Sequence, residues 1–221
     1  MRQAGFAYAQ ARMQARFAAR PEAPEWQMIE TGRDLVQALD AAKRTALAPS
    51  VARLGRESSR EAVETGLRKA WAEQVDEVAR WTPPAWRAPL EWWVLLPHLG
   101  LADADTPLAL PGGDSLAQAI EAGARAGAAW QTGFTARLPR GGAAALEPLA
   151  PLIAAYLEGP PRALTERRVL KRGLERLLRA RAGEPAAAFA FLGLMALDLE
   201  RLRGALLLAR MYPVTGEGEA A

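Results

Sequence analysis

The chain contains no cysteine and a single histidine, His98. The first absence rules out disulfides, thiolate metal ligands and a cysteine nucleophile. A reducing compartment is compatible with it. The second leaves no partners for a serine–histidine catalytic pair or a histidine-built metal site. No stretch reaches the roughly 18 uninterrupted apolar residues that a membrane span requires. The best candidate, residues 186–197, stops at Asp198. No run alternates in the manner of a strand, and no segment repeats at a fixed period. Lysine is scarce as well, with only Lys43, Lys69 and Lys171 among 28 basic residues. Net charge is +3, so the pI of about 9.7 reflects arginine rather than a large basic excess. A nucleic-acid partner is therefore not expected. No secretory signal is visible, and the arginine-rich, acid-free first twenty residues read as a first helix rather than a transit segment.

What remains is helical. Half of the 221 residues are apolar and about a quarter charged, enough to bury a core in one domain or in two small lobes. Phe6, Ala9, Met13 and Phe17 share one face of a helix over residues 5–20. A second helix is expected over 25–47, with Gly32 a point of close approach. Ser58 and Glu61 form a capping box that opens an amphipathic helix to residue 81. A short segment over 86–96 follows, rich in tryptophan. Helices are then expected over 115–138, capped by Asp114, over 143–157, kinked at Pro148 and Pro151, and over 166–181, capped by Thr165 with Val169, Leu170, Leu174, Leu177 and Leu178 inward. The chain is organised around its last helix, residues 185–212, about 40 Å long. Its first half is apolar on every side and its second narrows to a seam of Leu192, Met195, Leu199, Leu202, Leu206 and Ala209. The expected fold is all-α, a bundle of seven or eight helices. An N-terminal lobe (1–97) and a C-terminal lobe (114–221) join through a Pro/Gly linker (98–113), with packing as one domain the alternative.

Signals of chemistry are sparse. Gly113, Asp114, Ser115 and Leu116 spell an esterase signature, but no strand leads into it and no histidine follows, so it reads as a helix start. Asp103 and Asp105 lack the apolar strand or loop spacing of a phosphatase or cation site. The glycine pairs at 112–113 and 141–142 lack the spacing and lysine of a phosphate-cradling loop. No catalytic residue, metal ligand or cofactor is assigned. Two clusters are candidates for partner binding. Arg168, Arg172, Arg176 and Arg179 lie along one flank of the 166–181 helix, suited to phosphates, anionic lipid or an acidic protein surface. Trp86, Trp92 and Trp93 form either core or an aromatic docking surface.

Both ends of the chain also carry short motifs. Ala7, Tyr8, Ala11, Arg12 and Met13 follow an Ala-Tyr-x-x-Ala-Arg pattern. Asp198, Glu200, Leu202 and Arg203 follow an acidic-x-acidic-Asn-Leu-Arg pattern, with Arg201 in place of asparagine, and Phe189-Ala190-Phe191 stands upstream. In these motifs the chain resembles the C/d-type family of stalk proteins in rotary V-type ATPases and archaeal-type ATP synthases. The resemblance implies a non-enzymatic central-stalk coupling component, in a bacterial enzyme, that links the rotor shaft to the membrane proteolipid ring. It implies a cytoplasmic protein, peripheral to the inner membrane. Family members have three helical lobes and are longer, so a lobe is missing or reduced here. Ion pairs of Arg12 and Arg203 with Asp198 or Glu200 are expected to fix helix register, with Arg203→Ala harming folding. The alternative is a free-standing helical adaptor binding an acidic protein or an anionic membrane surface. A third role, an enzyme on isoprenoid-like or phosphorylated substrates, would need an aspartate-rich metal motif that the chain lacks.

Overall fold

A computed structural model describes residues 4–101, 108–158 and 164–211, and every regular element among them is helical. In chain order these are α1 (Ala4–Ala18), α2 (Ala23–Glu30), α3 (Leu35–Lys43), the single turn α4 (Ala48–Val51), α5 (Arg60–Trp81), α6 (Arg87–Trp93), α7 (Gly113–Glu121), α8 (Ala126–Arg137), α9 (Gly142–Leu146), α10 (Ala150–Glu158), α11 (Leu164–Ala180) and α12 (Pro185–Met211). Short 3-10 helices occupy Pro84–Trp86, Leu96–Leu101 and Glu147–Leu149. The all-α class and the long last helix are as expected. The number of helices is not: eleven described α-helices have five or more residues, against seven or eight.

The extra helices come from local hydrogen bonding that competes with helix continuation. The expected helix over 25–47 breaks at Asp34. Its carboxylate accepts from the Gln37 N–H at 2.9 Å, and the Gln37 side chain accepts in return from the Arg33 N–H at 3.2 Å. This reciprocal box starts α3 afresh. Gly32 lies against that start: a Cβ there would come within 2.8 Å of the Ala38 nitrogen. The expected helix over 115–138 breaks at Gly123, whose φ of +94° is left-handed. The Gly123 N–H reaches Ile120 O and the Ala124 N–H reaches Ala119 O, the paired bonds of a Schellman stop. Pro148 lies in a 3-10 turn that separates α9 from α10. The cap of α5 moves by one residue. Ser59 Oγ accepts from the Ala62 N–H, while Ser58 Oγ serves the preceding turn through the Gly55 N–H. α7 begins before Asp114, behind Gly112 at φ +82°, and α11 begins before Thr165.

The chain forms two compact units, each assembled from two separated stretches. The first comprises Met1–Ala15 with Trp71–Leu197, and the second Arg16–Ala70 with Asp198–Ala221. His98 and Gly113, the ends of the expected linker, both fall in the first unit.

The core of the first unit gathers on the all-round apolar start of α12. Phe189 is fully buried and takes Trp93 (5.0 Å), Phe134 (5.7 Å) and Trp86 (6.2 Å) edge-on. Trp130 stacks on Phe134 at 4.8 Å. Each large ring that leaves water contributes roughly 1.5–3 kcal/mol, but a buried indole N–H must find an acceptor. Trp92 Nε1 donates to Trp130 O (2.9 Å) and Trp130 Nε1 donates back to Trp92 O (3.3 Å), while Trp71 Nε1 donates to Val94 O. Gly133 of α8 makes the close approach possible, since a Cβ there would lie 2.4 Å from the Trp92 ring.

In the second unit Leu199, Leu202 and Leu206 of α12 join a core with Trp26, Ile29, Leu39 and Val63. The expected seam is thus divided: Leu199, Leu202, Leu206 and Ala209 are buried in the second unit, while Leu192 is buried in the first and Met195 is half-buried there.

Candidate anion-binding face

α11 is the most strongly two-faced helix of the chain. Leu170, Leu174 and Leu178, four residues apart, are buried. Gly193 of α12 gives Leu174 its seat: a Cβ at Gly193 would lie 3.0–3.1 Å from the Leu174 methyl groups. α11 is therefore held by one face and presents the other. The presented face carries Arg168, Arg172, Arg176 and Arg179, all exposed. At 100° per residue the four fall within an arc of about 80°, and at 1.5 Å per residue they extend for about 16 Å. None of the four has an ion-pair or hydrogen-bond partner among the described residues. The neighbouring acid, Glu175, is half-buried and lies 3.9 Å from Lys171. The sequence of α11 holds six basic and two acidic side chains, a net +4, against +3 for the whole chain. The rest of the chain is thus slightly acidic, and α11 carries the positive charge.

Val169 is a correction. It was expected inward but is 61% exposed. It stands two turns before Arg176 and so shares that side of the helix, a relation its spacing shows. Val169 with Arg172, Glu175, Arg176 and Arg179 lines an open recess of about 360 Å³.

The other candidates lie elsewhere. Trp92 and Trp93 are 4% and 3% exposed, so they are core, with the Trp92 N–H already satisfied and Arg137 packed 3.9 Å over its ring. Trp86 is half-buried between Phe6 and Phe189. Asp198 is buried and held by Arg20, through Nε at 2.5 Å and Nη2 at 2.7 Å. Neither Arg12 nor Arg203 is its partner. Arg203 instead makes a two-pronged pair with Glu64 of α5, one bond at 2.7 Å, and that carboxylate pushes the guanidinium pKa up. Arg12 lies over the Tyr8 and Trp81 rings. Glu200 is half-buried. Arg201 pairs with Glu30 at 2.6 and 2.8 Å and covers Trp26. Arg20, Glu30 and Glu64 were not anticipated as partners. Arg12, Arg16 and Arg20 recur at four-residue spacing in the sequence, which does not distinguish the one that meets Asp198.

Ser115 is exposed in the first turn of α7, and His98 is half-buried in a 3-10 turn. Asp103 and Asp105 lie outside the described residues. Among the described residues no three His, Asp or Glu side chains gather as a metal site would require. No described helix is long and apolar enough to cross a membrane.

No family model matches the chain, and neither a curated protein nor a solved structure matches it.

Proposed function

We propose that this protein is a non-enzymatic helical adaptor that binds an anionic partner through α11. The observation that carries this is the row of four exposed arginines without partners on a helix more positive than the chain as a whole. Charges left unpaired on one face repel each other, and a complementary surface relieves that cost. A guanidinium adds bidentate recognition of carboxylate or phosphate. Such an attraction is felt within a Debye length, about 8 Å at physiological salt, and weakens as salt rises.

The experiment is retention on dextran sulfate beads under a salt gradient. The wild-type protein is expected to elute at clearly higher salt than a variant in which Arg168, Arg172, Arg176 and Arg179 are all glutamine. Coincident elution would refute the assignment of the face.

A coupling role in a V-type ATPase is the second reading, with the rotor shaft and proteolipid ring as partners at the cytoplasmic side of the inner membrane. Its support is that Asp198 and Arg203, two residues of the family-like motif, both enter two-pronged ion pairs that anchor α12 in the second unit. Affinity capture from gently solubilised native membranes tests it. Rotor-shaft and ring proteins recovered in near-equal amounts would favour it, and their absence from membranes that hold the ATPase would end it.

A further inference from the structure

We infer that the anionic partner of α11 is the phosphate plane of an acidic lipid bilayer. This rests on the adaptor reading and narrows it to one chemistry. α11 is held on one side by Leu170, Leu174 and Leu178, and the arginine row lies on its exposed side. A helix held by one face is able to enter a DNA major groove, as a recognition helix does, and the DNA duplex in the test below probes that arrangement. It can also lie along a plane. The four arginines fall along a straight line of about 16 Å, long enough to span more than one headgroup. All are arginine, which suits bidentate contact with phosphate oxygens. One acid, Glu175, lies in the row and lines the recess; it is half-buried, 3.9 Å from Lys171, and the four arginines outnumber it.

Val169 supplies the second, independent observation. An aliphatic side chain 61% exposed amid arginines gains nothing from facing an acidic protein loop across water. At a bilayer it would sit where headgroups give way to acyl chains, as apolar residues of interfacial helices do. Charge draws the face to the surface, and Val169 touches the layer beneath.

The test is co-flotation of the full chain with vesicles of pure phosphatidylcholine, and of phosphatidylcholine with about one third phosphatidylserine. A fluorescent poly-glutamate and a short DNA duplex are titrated in parallel. Binding to the acidic vesicles only, reversed by salt, is expected. Each neutralised arginine should lower the partition coefficient roughly fivefold, and all four several hundredfold. Val169→Ser, which changes no charge, should weaken vesicle binding while leaving dextran sulfate retention nearly as strong. The residues are exposed, so both variants should keep the wild-type melting temperature, which a thermal scan verifies. Poly-glutamate bound more tightly than vesicles would overturn the lipid assignment but leave the adaptor reading standing. Tighter binding to DNA would also overturn it. Binding to none of the three would remove both. Equal vesicle binding by the Val169→Ser variant would overturn the role given to Val169.

Discussion

Asp198 and Arg203 lie five residues apart on α12, yet their carboxylate and guanidinium live in different media. The side chains of Asp198 and Arg20 are 8% and 10% exposed. The side chain of Arg203 is 46% exposed, although that of its partner Glu64 is 16% exposed, so this pair is more open to water than the first. Removing one member of a buried pair leaves an uncompensated charge and costs roughly 3–5 kcal/mol, whereas a pair open to water is worth about 1 kcal/mol or less. Asp198→Ala should therefore collapse much of the protein's stability, and Arg203→Ala should lower it only slightly. Urea titration of the two variants measures this, and a comparable loss in both would contradict it. The sequence showed that acids and arginines sit among small residues on long helices, and that was right for Asp198. It could not choose the partner, because Arg12 and Arg20 stand in the same four-residue series and differ only in what packs beside them. Nor could it say which of Trp86, Trp92 and Trp93 would be covered. That depended on Gly133 opening a seat for an indole and on the Trp130 carbonyl accepting its N–H.

Helices α5 and α11 show what helix-scale patterns can reveal. The inner stripe of α5 was legible because apolar spacing at three and four residues is imposed by the helix itself. Its start was misplaced by one residue because two adjacent serines are equally good caps in one dimension. With Ser59 as cap, Glu61 sits in the first turn, fully exposed. Its own backbone N–H and the Ser59 hydroxyl hold its carboxyl below the usual value of 4.5. The ionised form is thus favoured in the folded chain. Its contribution is complete above the ordinary carboxylate value and fades as pH falls through the lower folded one. Glu61→Gln should be less stable than wild type at pH 7, and the gap should close on acidification below about pH 4.5. Melting curves at pH 7 and pH 3 would detect a gap that fails to close. The basic flank of α11 was equally readable, since alternate faces of an amphipathic helix declare themselves by charge. The breaks at Asp34 and Gly123 were not, because each depends on a few backbone bonds that carry no periodic signal.

For the whole molecule, composition and pattern predicted the class, all-α, and the burial of the last helix. They placed a division at the Pro/Gly-rich stretch 98–113, as such stretches are where chains most often part. The two units instead interleave along the chain, with boundaries inside α1, α5 and α12. Cutting the chain between residues 97 and 98 should leave two fragments that each hold only part of both units. Each fragment alone should show weak helical circular dichroism and no cooperative melt. A cooperative melt in either would show that it carries a complete core of its own. The same interleaving bears on synthesis. The second unit needs Asp198, Leu202 and Leu206 to complete what Trp26, Leu39 and Val63 begin. The ribosome delivers all of residues 71–197 in between, a wait of several seconds or more at roughly 5–20 residues per second. Over that interval the apolar side chains of residues 16–70 lack the α12 residues that bury them in the finished fold.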